Sequence, residues 1–315
     1  MRMALWVQDI FPFLRLSLND STQIVSNTSL ATAIMLASLE IISPKAFGYT
    51  IPWQEHLNLA RDLMRKRFSS VSTIRKMHSD PAGSEGEDQV CSFLWSWFAY
   101  LDVLGSFSGG PRTNKEWLMD YGVLDSTDDP DEIDCIMGFT TRCVKLLAET
   151  AELARRCDSE RIVTPAKRID PRWYPSEDIK ARAHDLDRQL RESVACNSHP
   201  CKHIQADSVS GRDYDEMTAT NEAFHWAGVV QIHRRILGKS STHADVTGAV
   251  EKIMACLRKI RIGGQAEMGF LFPMFTAGCE VSPKGRQAVL ERFRSIERNG
   301  MMQVRCSLDR FPNTA

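Results

Sequence analysis

Residues 139–157, FTTRCVKLLAETAELARRC, decide how the rest of the chain is read. Phe139, Cys143, Leu146, Leu147, Thr150, Leu153 and Ala154 recur at intervals of three and four, the period that gathers side chains on one face of an α-helix. Thr140 can cap its start, because a hydroxyl there accepts from a backbone N–H that has no partner inside the helix. Strand-like alternation is nearly absent elsewhere, and the same helical period returns in both directions.

Towards the N-terminus, Thr28–Ile42 sets Leu30, Ala33, Ile34, Ala37 and Ile41 on one face and stops before Pro44. Trp53–Phe68 follows, with Leu57, Ala60, Leu63 and Met64 inward. Arg61, Arg65, Lys66 and Arg67 fall near its end, where cations suit the helix dipole. Val90–Leu104 carries Phe93, Trp95, Trp97, Phe98 and Tyr100 around much of its girth, so burial on more than one side is expected. Towards the C-terminus, Ser176–Cys196 has a narrow stripe of Ile179, Ala183, Leu186, Leu190 and Val194. Asp213–Leu237 is closed by Gly238 as a helix-ending glycine. Ala244–Ile260 ends at Gly263-Gly264, and Ala266–Cys279 contains Pro273, which should kink it. Pro283–Arg298 has the clearest start, a capping Ser282 before a proline at the first helical position. The expectation is an all-α fold of about eight to ten helices in one compact domain over residues 1–315. Polar loops are expected near 69–88, 105–131 and 197–212, and no fixed-period repeat is present.

The 315 residues are 43% hydrophobic, enough for a large core, and carry 39 basic against 40 acidic side chains. A net charge of -1 argues against a chain-wide grip on nucleic-acid phosphates. Nine cysteines without dense spacing read as reduced thiols rather than a disulfide scaffold. The apolar run Leu30–Ile42 is too short for a bilayer, and Asp9, Pro12 and Arg15 interrupt what would be a signal core. A soluble intracellular protein without membrane contact is expected.

The constellations that could carry chemistry mostly fail on spacing. Cys196, His199, Cys201 and His203 crowd four donors into one short polar segment, whereas a zinc tetrahedron draws paired ligands from two segments. There is no C-x-x-C pair. In Gly105-Ser106-Phe107-Ser108-Gly109 the position of a nucleophile is a phenylalanine, and no strand precedes it. Cys279, with His225 or His233 as its base, sits in an apolar helix and reads as a core residue. Gly263-Gly264 follows a helix rather than a strand, so phosphate-binding fingerprints are missing. Glu222-Ala-Phe-His225 is a single copy of a spacing that di-metal bundles use in pairs. No catalytic, cofactor-binding or metal-ligating residue is assigned, and no cofactor is expected. Trp95, Trp97, Trp226, Met254, Met268, Phe270, Phe272, Met274 and Phe275 read as core, though such a set could also line an apolar cavity.

Four stretches together resemble one family: Leu30–Met64; FLWSWFAYLDVLGSFSG, Phe93–Gly109; IDCIMGFTTRCVKLLAETAELAR, Ile133–Arg155; and Ala227–Val304. The last runs from GVVQIHRRILG through LFPMFTAGCE to NGMMQV. They are similar to the fungal-specific transcription factor domain, the helical region usually found beside a binuclear zinc-cluster DNA-binding module. The resemblance implies a nuclear regulatory domain. It would act through a homodimer or co-regulator proteins, with a small apolar ligand as a further partner. DNA contact would come only through a zinc-cluster module that this chain does not contain. The stretch after Val304 departs from the family pattern, which leaves truncation, an incomplete gene model or a regulator without its reader. The alternative reading is a stand-alone helical small-molecule binding protein with no role on DNA.

Overall fold

The computed structural model describes residues 26–42, 53–67, 85–107, 129–163, 168–170, 172–201 and 210–301. They form ten α-helices: α1 Asn27–Ile42, α2 Trp53–Arg67, α3 Glu85–Phe107, α4 Thr141–Arg161, α5 Glu177–Val194, α6 Gly211–Gln231, α7 Ala244–Lys259, α8 Gln265–Gly269, α9 Leu271–Glu280 and α10 Pro283–Arg298. A π-turn, Ile232–Ile236, extends α6. Four two-residue strands complete the described elements: β1 Glu132–Ile133, β2 Ile162–Val163, β3 Arg168–Ile169 and β4 His199–Pro200. β1 pairs with β4 in parallel and β2 with β3 antiparallel, so the sheet content only fastens loops. The fold is all-α.

Two apolar cores share this framework. The first, around Phe98 and Phe139, joins α1, α2 and α3 to one face of α4 through Leu30, Leu57, Met64, Leu94, Trp95, Cys143 and Leu147. The second, around Phe270 and Phe293, joins the other face of α4 to α5, α6, α7, α9 and α10 through Leu146, Leu190, Val229, Ile253, Met274 and Ile296. α4 is therefore apolar on two sides. α6 also serves both, because Phe224 leaves the second core to pack among the first. Its ring lies 4.2 Å from Phe139 and 6.0 Å from Phe272, centroid to centroid. Gly228 lets α6 come close: a Cβ there would sit 2.9 Å from Leu190 Cδ1 and 3.0 Å from Leu147 Cδ2.

The start signals hold where they were read. Thr140 and Ser282 accept from backbone N–H groups at the starts of α4 and α10, and Ser176, which was not read as a cap, does the same for α5. Gly238 has φ +65, the left-handed conformation that a chain leaving a helix needs. Other expectations change. α3 begins at Glu85 and runs to Phe107, so the polar loops near 69–88 and 105–131 are each shorter at the helix side. Gly105 and Ser106 are the helix's last turn, where Ser106 Oγ donates to Asp102 O at 2.6 Å. Residues 199–200 of the expected linker are paired as a strand. Pro273 does not kink a continuous helix. The chain breaks at Phe270 between α8 and α9, and Pro273 takes the first turn of α9, where a missing N–H is harmless.

Among the described helices, α3 is the one long and apolar enough to cross a membrane, over Val90–Phe107. It is a core helix here: Leu94, Trp95, Phe98, Ala99 and Val103 are buried in the first core. Asp102, also buried, is tied to Arg61.

Candidate functional site

At its C-terminal end α6 widens into a π-turn, whose Ile232 and Ile236 lie in the second core. Leu237 N donates to Ile232 O at 2.9 Å, a wider ring than the α-helical one. Such widened turns displace side chains from regular spacing and recur at functional positions. Here three successive side chains each reach a different helix. Arg235 Nη1 donates to Phe107 O at 3.0 Å, a carbonyl left without a partner at the end of α3, and Nη2 donates to Asp158 Oδ2 of α4 at 2.6 Å. Arg161 Nη1 returns a bond to Arg235 O at 2.8 Å. Arg234 pairs with Glu280, the last residue of α9, at 2.8 Å, and Ser241 Oγ donates to the same carboxylate at 2.6 Å. His233, 2% exposed, has Nε2 3.2 Å from Asp187 Oδ1 of α5. Burial alone would raise the Asp187 carboxyl, but hydrogen bonds from His233 and Arg191 hold it below the usual aspartate range. Lys239 binds Asp245 of α7 at 2.6 Å and is the main reason that carboxyl also lies low.

This cluster joins α3, α4, α5, α7 and α9 through cation–carboxylate pairs and capped carbonyls. A single half-exposed pair of this kind contributes about 0 to 1 kcal/mol, so the cluster matters as a network rather than as a sum of bonds. It offers no nucleophile beside a base. It can make the position of α3 depend on that of α4 and α6.

Of the residues singled out in the sequence, His233 is in this cluster and Cys279 lies on α9, while Cys196, His199, Cys201 and His225 lie near the β1–β4 bridge without forming one site. His225 is wholly buried, with Nδ1 2.8 Å from Asn221 O and Nε2 2.9 Å from Ser193 Oγ. Burial pushes it down to about 4, so it is a neutral ring that donates to the carbonyl and accepts the serine hydroxyl. Glu222 turns away to accept from Trp226 Nε1 at 3.1 Å, and the E-x-x-H spacing brings no ligands together. Cys196 Sγ donates to Glu192 O, Cys201 is buried against Cys135, and His199 Nε2 lies 2.9 Å from Asp129 Oδ2. His203 lies outside the described residues. Asp129, Glu132 and His199 place their ligand atoms within 4.8 Å of one another, a grouping that exposed acidic side chains often make without an ion. Asn221 ties the bridge to α6, its Oδ1 accepting from Thr140 N at 3.0 Å and its Nδ2 donating to Ser198 Oγ at 3.3 Å.

Two expectations about side chains are overturned. Cys279 is exposed rather than core, because it follows the buried Thr276, Ala277 and Gly278 onto the outer face of α9. Met268 is likewise exposed, at the short α8. Phe270 and Met274 are fully buried, and Trp97, Trp226, Met254, Phe272 and Phe275 partly so.

Two ion pairs of consequence escaped the sequence reading. Arg61, grouped in the sequence with the cations near the helix end, is a buried partner of Asp102, with Nε 3.1 Å from Asp102 Oδ1. A signal existed: Arg61 stands four residues after Leu57 and three before Met64, on the apolar stripe itself, while Asp102 interrupts an aromatic helix. Glu267, fully buried, accepts from Arg292 Nη1 at 2.9 Å, Ser295 Oγ at 3.0 Å and Gly263 N at 2.7 Å. Arg292 also donates to Leu257 O and Ile260 O, closing the end of α7. No local pattern marks such a contact between helices.

These features define a helical framework with two cores whose polar groups tie helices together. The chain belongs to the fungal specific transcription factor domain family, whose model matches residues 12–307. No curated protein and no solved structure matches it. Membership gives the chain a regulatory role in transcription, in a family that is not enzymatic and whose members are in general nuclear regulators.

Proposed function

We propose that this chain is the regulatory domain of a zinc-cluster-type transcription factor, acting in the nucleus by protein–protein contact and taking a small apolar ligand as its input. The family match across residues 12–307 carries the reading. The π-turn supports the mechanism. A shift of α3 in the first core pulls on Phe107 O, and Arg235 passes it to Asp158 and α4, which also faces the second core. Met35 and Ile42 of α1, with Val90 and Phe93 of α3, are exposed large apolar side chains of the kind that a second copy or a co-regulator covers.

Tethering the chain to a promoter through an unrelated zinc-cluster reader tests this. Reporter output should change, and Arg235→Glu should blunt the change while circular dichroism still shows a helical protein. A tethered chain without effect on the reporter would refute the proposal.

A further inference from the structure

α1 is built unlike its neighbour α2. Both turn an apolar stripe to the first core, α1 with Leu30, Ala33, Ile34 and Ala37 and α2 with Leu57, Ala60, Leu63 and Met64. The opposite side of α2 is solvated in the ordinary way, with Glu55, Asp62 and Lys66 exposed. The opposite side of α1 carries no charge. It presents Thr28, Met35 and Ile42, all exposed, with Thr32 and Leu39 half-exposed between them. Glu40, the helix's only charged residue, is 4% exposed and turned elsewhere. Thr32 Oγ1 donates to Thr28 O at 2.7 Å, so even this hydroxyl is satisfied within the helix. A helix that is apolar all round is one that becomes covered.

The spacing and the sizes of the five outward residues say what covers it. Residues 28, 32, 35, 39 and 42 alternate steps of four and three, the spacing by which one helix seats its side chains between those of another. Two threonines stand towards the N-terminal end, Leu39 and Ile42 towards the C-terminal end, and Met35 at the centre. Beside a parallel copy of itself, large residues would meet large ones and the threonines would leave a gap. Turned end for end, a copy sets Thr28 against the partner's Ile42, Thr32 near the partner's Leu39, and Met35 against the partner's Met35. Large facing small fills the space between two helices, so the seam is complementary to itself in the antiparallel sense alone.

We propose that a second copy of this chain docks on the outer face of α1, the two α1 helices crossing antiparallel about a two-fold axis at Met35. The contact is isologous, each copy giving and receiving the same residues, so it closes at a dimer. It rests on the reading of this surface as one for protein contact and chooses the second copy from the partners that reading allows. A crossing of two helices of this length buries about 1,000 Å² in total, the low end for specific pairs, so affinity in the micromolar range is expected. Because the inner stripe of the same helix lies in the first core, pairing holds that core from outside.

Sedimentation of the purified full chain, with no promoter or reporter present, reads pairing apart from the regulatory role. The chain should pass from monomer to dimer between about 1 and 100 µM. Met35→Glu sets two like charges on the axis and should raise the dissociation constant about a hundredfold, with the helical signal unchanged. Single cysteines then fix the geometry. Packed helices lie about 8 to 10 Å apart, which leaves Cα atoms facing on the axis about 4 to 5 Å apart, near the separation a disulfide spans. Met35→Cys should therefore give a disulfide-linked dimer on mild oxidation, joined at position 35 in peptides mapped without reduction. Thr28→Cys should not link to itself but should link to Ile42→Cys when the two variants are mixed. A wild-type chain still monomeric at about 100 µM overturns the proposal. So does self-linking of Thr28→Cys, or dissociation by Phe93→Glu and not by Met35→Glu. A tethered chain that still drives the reporter in those cases leaves the regulatory reading standing.

Discussion

Around Phe270 and Phe293 most helices begin and end on bonds to their own neighbours: Ser176, Ser210 and Ser282 cap α5, α6 and α10, and Gly238 and Gly263 turn the chain with positive φ, while the end of α7 is closed from a distance by Arg292. Around Phe98 and Phe139 the order comes from further away. A buried Arg61–Asp102 pair lies between α2 and α3, Phe224 arrives from α6, and large apolar side chains of α1 and α3 still face outward. The second core is thus specified largely by short-range chemistry, the first by contacts that exist only once distant helices have met. The first core should be the half that responds to what happens elsewhere in the molecule.

Phe224 gives the strongest way to break this contrast. Phe224→Ala empties a fully buried site in the first core from a helix anchored in the second, and should cost about 3 to 5 kcal/mol in chemical denaturation. If the first core depends on the second, the loss of helix signal should start earlier and spread over a broader transition. A uniform shift with unchanged steepness would mean that the two cores unfold as one. Asp102→Ala comes next: it strands the Arg61 guanidinium beside apolar neighbours and should cost about 3 kcal/mol, whereas Arg61→Met with Asp102→Leu should be near neutral. A double-mutant cycle measures the difference.

A pH titration probes the junction of the two cores. His225 has its folded pKa lowered to about 4 against an ordinary value of 6.5. A lowered histidine favours the neutral folded form, so its contribution is complete above pH 6.5 and is lost as pH falls towards 4. The loss amounts to about 3 kcal/mol. Carboxylates held low, such as Asp187, act below that window. Unfolding measured from pH 7 to 4 should show this decline in the wild type and a much shallower one in His225→Gln.

The same contrast explains what was legible in the residues. The helices of the second core could be read almost to their ends, because Ser282, Pro283 and Gly238 act within one turn of where they stand. The first core could be read as helices but not as a polar arrangement. Arg61 finds Asp102 across 41 residues, and Arg235 finds Phe107 O across 128. The break at Phe270 was mislocated because a proline was read as a kink at its own position, while its steric effect falls one turn earlier. Cys196, His199 and Cys201, whose crowding in sequence reads as a poor metal cage, are neighbours whose side chains take three separate partners. The thiol partner of Cys201 lies in the segment before α4, and no spacing along the chain announces it.

The smallest expected effect separates short-range from long-range specification most cleanly. Ser282 Oγ accepts from Gly285 N at 3.5 Å, a long bond at an exposed helix start, with Pro283 already preset at the first helical position. Ser282→Ala should therefore cost about 1 kcal/mol or less. Phe275→Ala, on the preceding helix, would cost about 3 to 5 kcal/mol in a full core but should cost less here, because the ring is only partly buried against the second core. If the second core is assembled from independent local decisions, the two losses should add within about 0.5 kcal/mol in the double variant. A coupling larger than that would show that α9 and α10 are placed by each other rather than by their own ends, and the contrast between the cores would be one of degree.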